Sequence, residues 1–206
     1  MTVLGVREMG EWALLFDVRP ADRHAVAARL RQAGVAGVDD VVSGESGVLV
    51  RFAPGAHIDV DALRAAADVA ARDREVADVE EVVVPVRYDG ADLGEVSRLT
   101  GLSTRQVVER HLAGTYVVAF VGFAPGFPYL DGLPPELQVP RLSTPRVRVE
   151  AGSVAIAGSR CCVYPGATPG GWRVIGHTDL RVFDVAASPP TPFEPGRRVR
   201  FVEAAE

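Results

Sequence analysis

Two histidines sit where an imidazole can do chemistry. His111 lies within the stretch "VVERHLAG", shortly before the apolar run "YVVAFV". His177 follows another apolar run in "RVIGHT". An imidazole near neutral pH can carry a proton or orient a bound group. These two are the candidate catalytic residues. His111 has a second reading, as a cation favoured at the C-terminal end of its own helix. His24 and His57 read as surface residues.

Three glycine-bearing stretches, the first and third also rich in proline and aromatic rings, could frame a binding site: "GFAPGFPYLDGLP" (122–134), "GSVAIAG" (152–158) and "YPGATPGGW" (164–172). Glycine lets backbone run close to a ligand or another chain. Proline fixes shape in advance, and aromatic rings supply flat apolar walls. The substrate-binding candidates in the first stretch are Phe123, Pro125, Gly126 and Phe127. Of its two phenylalanines, one is expected in the core and one at a rim. Ser153 comes from the second stretch; no base lies near it in sequence, so it reads as a hydrogen-bonding group and not a nucleophile. The third gives Thr168, Gly170, Gly171 and Trp172. Thr168 and the N–H groups of the two glycines could form an anion-binding nest. Trp172 reads equally as a stacking platform or a core ring. Thr178, beside His177, and Arg146, in "STPRVRV", complete the set. The arginine could bind an anionic group or pair with a partner's carboxylate. Taken singly, each stretch is also explained by turn chemistry with core aromatics.

Composition removes several alternatives. The 206 residues contain no lysine. That excludes a P-loop lysine, a Schiff-base lysine, a Ser-Lys centre and a biotin attachment site on this chain. There is no G-x-S-x-G elbow either. Any ATP-driven or acyl-transfer chemistry must then draw on another chain. Cys161 and Cys162 are adjacent, a poor geometry for a disulfide, and no metal-ligand spacing occurs. Net charge is −5, which disfavours a nucleic-acid partner. No apolar run approaches the roughly 20 residues that span a bilayer. The start "MTVLGVREMGEW" lacks the pattern of a signal peptide, and a cytoplasmic protein is expected.

The elements that must position these residues fall into two textures. Strands are expected over 12–18, 38–43, 47–53 and 80–88, with helices over 21–34 and 59–73. That order, βαββαβ, matches a ferredoxin-like unit. Residues 89–114 read as two short helices, the second capped by Ser103 with Gln106 three residues on. After Tyr116 short apolar segments alternate with Gly/Pro turns, the texture of a sandwich or closed barrel.

The ordered set "GFAPGFPYLDGLP", "PRVRVEAGSVAIAG", "YPGATPGGWRVIGHT", "VFD" and "PGRRVRF" resembles the allophanate hydrolase subunit 1 family. That family includes the B-type subunit of the bacterial 5-oxoprolinase complex and the Kip-type inhibitor of a sensor histidine kinase. The resemblance covers essentially the whole chain. It implies an N-terminal α/β domain and a C-terminal cyclophilin-like β-barrel; with the element order above, the expectation is an α+β protein with a ferredoxin-like domain (1–87) and a barrel domain (88–206) carrying short helices at 91–113. It also implies a partner, the C-type subunit of 5-oxoprolinase or allophanate hydrolase subunit 2, with an A-type subunit joining them. The complex would use ATP to open the lactam of 5-oxo-L-proline to L-glutamate. This chain alone would bind no cofactor and be inactive. Two other roles share the family: a urea or amide carboxylase component and a non-catalytic kinase inhibitor. The sequence departs from the family pattern at His177, where arginine is common, and at Arg197, where an aspartate commonly follows the glycine.

Overall fold

Alternating burial along the strands builds the first unit. The computed structural model describes residues 3–68 and 81–205, and the chain divides into units 1–78 and 79–206. In the first, β1 (Val3–Glu8), β2 (Ala13–Val18), β3 (Val38–Ser43) and β4 (Gly47–Phe52) form an antiparallel sheet ordered β1-β2-β4-β3. Successive side chains point to opposite faces. Leu14, Phe16 and Val18 of β2 therefore share one buried face with Val48, Val50 and Phe52 of β4. Helices α1 (Arg23–Gln32) and α2 (Val60–Asp68) pack Val26, Leu30, Leu63 and Ala67 into the same core. Asp59 starts α2 by accepting the Ala62 N–H at 2.9 Å. Residues 69–73 of the expected helix lie outside the described residues.

The expected βαββαβ order needs correction. The strand expected last, β5 (Val82–Val86), pairs in parallel with β13 (Arg198–Glu203) in the second unit. The place beside β2 is taken by β1, a strand the hydrophobic pattern does not announce. The physical reason is visible in "VVVPV". Val82, Val84 and Val86 bury one face, and Pro85, having no N–H, suits an edge strand.

The second unit is a seven-stranded sheet ordered β12-β9-β10-β7-β6-β13-β5. Its other strands are β6 (Tyr116–Val121), β7 (Pro128–Asp131), β9 (Ser153–Ala157), β10 (Arg160–Val163) and β12 (Arg173–His177). A separate two-stranded sheet holds β8 (Arg146–Val149) and β11 (Thr168–Gly170). Helices α3 (Leu93–Thr100) and α4 (Thr104–Ala113) add Val96 and Val107 to the main core. Ser103 and Gln106 form the expected capping box, each side chain bonding the other's backbone.

The sheet curls until its edges meet, giving a nearly closed barrel. Just beyond β5, Arg87 exchanges two backbone hydrogen bonds of 2.8 Å with His177 of β12. Gly90 N–H then donates to Ile175 O, and Asp92 N–H to Val174 O. This seam needs bare backbone. A Cβ on Gly176 would overlap the Arg87 carbonyl, and one on Gly90 would overlap the Val174 carbonyl. No helix among the described residues is long and apolar enough to cross a membrane.

Gly176→Ala should lower stability by about 1–3 kcal/mol, the usual scale of overpacking. Gly94→Ala, in a helix with nothing within 4 Å of the new methyl, should be neutral or stabilising by up to about 1 kcal/mol. Urea midpoints of the two variants check the contrast.

Candidate functional site: an aromatic face, a polar seam and a buried histidine

The barrel strands have two buried faces. Val154 and Ile156 of β9 point into the main core, while Ala155 and Ala157 point the other way. On β10, Cys161 and Val163 face in, and Cys162 faces out, followed by Tyr164 just past the strand. The outer residues are small, which leaves depth for rings above them. Phe127, Tyr164 and Trp172 fill that depth, with Tyr129 packed alongside. The centroids of Phe127 and Tyr164 lie 5.1 Å apart and those of Tyr129 and Trp172 5.8 Å apart, both edge-to-face, the arrangement ring quadrupoles favour.

The loop between β6 and β7 supplies the rim. Phe127 N–H donates to Ala124 O at 3.0 Å, and Gly122 N–H to Phe127 O at 3.1 Å. Gly126 takes φ +75°, and a Cβ there would press on the Phe183 ring. Phe123 also has positive φ, 70°, which is rare for a bulky side chain. It is 67% exposed and touches Phe127 edge-on at 5.3 Å. Phe127 is thus the core ring and Phe123 the rim ring. Pro125 is exposed on the same turn.

A strap over residues 139–146 crosses this face. Val139 O accepts from Gly158 N–H, and Leu142 N–H donates to Gly171 O at 2.7 Å. Arg173 Nε donates to Pro140 O at 2.9 Å. At the far end Arg146 forks onto Asp92 at 2.6 and 2.8 Å. Arg146 was expected to hold an anion; both its terminal nitrogens already have one inside the chain. Thr168 and Gly170 lie in β11, paired with β8, so this segment is extended and not curled into the expected nest. Gly170 must be bare because a Cβ would overlap the Tyr164 hydroxyl.

His177 lies elsewhere, on the seam. Its Nδ1 is 2.8 Å from Asp89 Oδ1, and that bond is the main reason the Asp89 carboxyl lies below its ordinary range. Arg87 pairs with Asp179 at 2.7 Å beside it. A cavity of about 140 Å³ opens here, lined by Pro85, Arg87, His177, Thr178, Asp179 and Leu180 among others. Ser153 is opposite His177 in the β9–β12 ladder and is buried. Thr178 is buried too, its N–H on Gly152 O.

His111 is in neither place. It is wholly enclosed in the barrel core. The Tyr88 hydroxyl lies 2.8 Å from Nδ1, and Cys161 Sγ lies 3.3 Å from Nε2. Phe201 packs on the ring at 4.5 Å. Both nitrogens are satisfied, and burial pushes its pKa down to about 3. This is the environment of a neutral core histidine. The expected residues therefore separate into an aromatic face (Phe123, Pro125, Gly126, Phe127, Thr168, Gly170, Gly171, Trp172), a seam (Ser153, His177, Thr178) and the core (His111). Asp89, Asp92 and Arg141 were not among the sequence candidates. Only "DGAD" and "PRLSTPR" carried a signal for them, as charges beside turn residues.

Residues 5–193 match the family described as "Carboxyltransferase domain, subdomain C and D". The chain belongs to this family. Among curated relatives, the B-type subunit of 5-oxoprolinase from Escherichia coli O157:H7 is 52% identical over 61% of this chain and 59% of its own length. The Bacillus subtilis (strain 168) protein of the same name is 44% identical over 68% of this chain and 61% of its own. The matches thus span about three-fifths of those relatives. The crystal structure of TTHA0988 superposes with a TM-score of 0.83 at 34% identity, over 98% of this chain and 41% of that one. This family member therefore has a counterpart for nearly all its residues inside a chain more than twice as long.

The buried imidazole predicts a pH dependence. Unfolded, His111 takes a proton near its ordinary 6.5; folded, only near 3. Between these values the unfolded chain binds more protons, so stability is complete above about pH 6.5 and falls as pH drops toward 3. The slope is at most about 1.4 kcal/mol per pH unit. Urea unfolding at pH 7, 6 and 5 should show the loss, and His111→Phe should flatten it.

Proposed function

We propose that the chain is one component of an ATP-dependent 5-oxoprolinase in the cytoplasm. Beside a C-type partner (an allophanate hydrolase subunit 2 homologue) and an A-type partner, it would help open the lactam of 5-oxo-L-proline. Water adds across the amide C–N bond to give L-glutamate, and ATP hydrolysis to ADP and phosphate drives the step. The observation that carries this reading is the shared name of three curated relatives at 40–52% identity. The length of the TTHA0988 chain, with room for a second body, supports a partner.

The chain's own groups suit a supporting role. Without lysine it offers no P-loop for nucleotide, so ATP is assigned to another chain of the complex. Its ring-filled face is a rigid apolar wall, apt for holding a small ring in place. At the seam, Asp89 fixes one nitrogen of His177. The other has no hydrogen bond among the described residues and is free to exchange a proton with a bound group.

A second reading follows from the family's description as a carboxyltransferase domain: a component that carboxylates urea or an amide. Reconstitution decides between them. The complex with this chain should release ADP and glutamate when given 5-oxo-L-proline, and omitting the chain should abolish both. Unchanged production without it would overturn the proposal. Bicarbonate-dependent carboxylation of urea would support the second reading. Capture of a sensor-kinase helical bundle, with no turnover, would mark an inhibitor instead. Within an active complex, His177→Ala should lower kcat about 100-fold or more, the scale of a lost proton carrier, with assembly intact by size-exclusion chromatography.

A further inference from the structure

The strap across the aromatic face presents one guanidinium that the fold does not use. Arg141 stands between two fixed backbone points. Pro140 O is held by Arg173, and Leu142 N–H by Gly171 O. Its side chain extends over Trp172, with the guanidinium carbon 5.6 Å from the ring centroid. Among the described residues it has no carboxylate partner. Most neighbouring arginines do: Arg146 has Asp92, Arg148 has Glu150, and Arg160 has Asp131. The fold has anchored this cation on both sides and stacked it on a ring without neutralising it.

Two hydroxyls in the same unit are also unused among the described residues. Tyr164 is 1% exposed, yet its hydroxyl makes no hydrogen bond among the described residues. It lies against Gly170, whose ladder partner is Arg146. Thr168 Oγ1 is buried and has no partner either. A buried hydroxyl such as that of Thr168 is costly to leave unmade. Burial raises the Tyr164 phenol above its ordinary range, and the charges of Arg141 and Arg146 both reach it and pull it back. Permanent positive charge thus lies next to an unpaired O–H donor.

We infer that Arg141, with the hydroxyl of Tyr164, is a recognition site for the carboxylate of a small organic acid. A guanidinium fork matches a carboxylate in plane and spacing, and a phenol completes the set as a neutral donor. Every group comes from this chain, so the site is complete without a partner. A small acid fits better than a protein side chain because Tyr164, within reach of the Arg141 charge, is almost wholly enclosed. Resting on the proposed activity, the acid is 5-oxo-L-proline; the site fixes its carboxylate and leaves the lactam for chemistry supplied elsewhere.

Trp172 lies directly under Arg141 and reports occupancy by its fluorescence. The full chain carrying Trp12→Phe has Trp172 as its one indole. It is titrated with 5-oxo-L-proline, with the neutral amide of that acid, and with cyclopentanecarboxylate, which keeps the carboxylate and lacks the lactam. The two acids should perturb the signal saturably, and the amide should bind at least tenfold more weakly. Arg141→Ala should weaken the acids by about 10- to 100-fold, the scale of a charged hydrogen-bonded pair. Arg141→Lys should restore only part of that, while Arg198→Ala, another arginine without an ion pair among the described residues, should change nothing. Equal binding of amide and acid, wild-type affinity in Arg141→Ala, or no response to any ligand would overturn the inference. A response to cyclopentanecarboxylate but not to 5-oxo-L-proline would uphold the carboxylate site and count against the proposed substrate. Loss of activity in the reconstituted complex is a separate readout, so the two failures are distinguishable.

Discussion

The second unit is tied together at one buried carboxylate. Asp92 gives its backbone N–H to Val174 O and takes the Val174 N–H on Oδ2 at 2.7 Å. Its own carbonyl accepts from Val96 N–H, so it also begins α3. Its remaining lone pairs meet the Arg146 fork. One side chain, 5% exposed, therefore fastens the barrel seam, the start of a helix and the two-stranded sheet that carries Gly170. A carboxylate buried this far is tolerable because it is both paired and hydrogen-bonded. The seam glycines and the strap are arranged around this junction.

Much of this could be read from the chain beforehand, and the boundary of legibility has a physical cause. The capping box at Ser103 and the helix start at Asp59 are local, decided within four residues, and both were visible. The β-rich texture after Tyr116 reflects turn chemistry, also local, and the nearly closed barrel follows from it. The partner of β5 was not visible. Val82 pairs with Val199, and nothing in "VVVPV" says which distant strand will receive it. The ferredoxin-like order failed for that reason, and because Gly5 and the charged end of β1 hid a strand of the first sheet.

The candidate site shows the same division. Two of the three stretches, 122–134 and 164–172, named the residues of the aromatic face, because ring size and bare backbone are written in residue type; the candidate from the other, Ser153, lies on the seam. Charges were harder to place. Arg146 looked available in sequence and is committed to Asp92, while Arg141, five residues earlier, was marked only as a charge beside turn residues and has no ion pair among the described residues. Whether a cation is satisfied is a tertiary property. His111 is the converse case: a reactive residue type whose surroundings of Tyr88, Cys161 and Phe201 keep it neutral. His177, at the end of β12 on the seam, has one nitrogen fixed by Asp89 and one without a hydrogen bond among the described residues.

Strand β9 has no side open to water. All five of its residues are buried, with Val154 and Ile156 in one core and Ala155 and Ala157 in the other. Most sheets let one face breathe while the other holds; here the two cores share a single wall. Amide protons along β9 can exchange with solvent only when both packings open together. Whatever tightens the outer face by binding there also slows opening of the barrel interior. The rigidity of the aromatic wall and the stability of the barrel interior are therefore linked through this one strand.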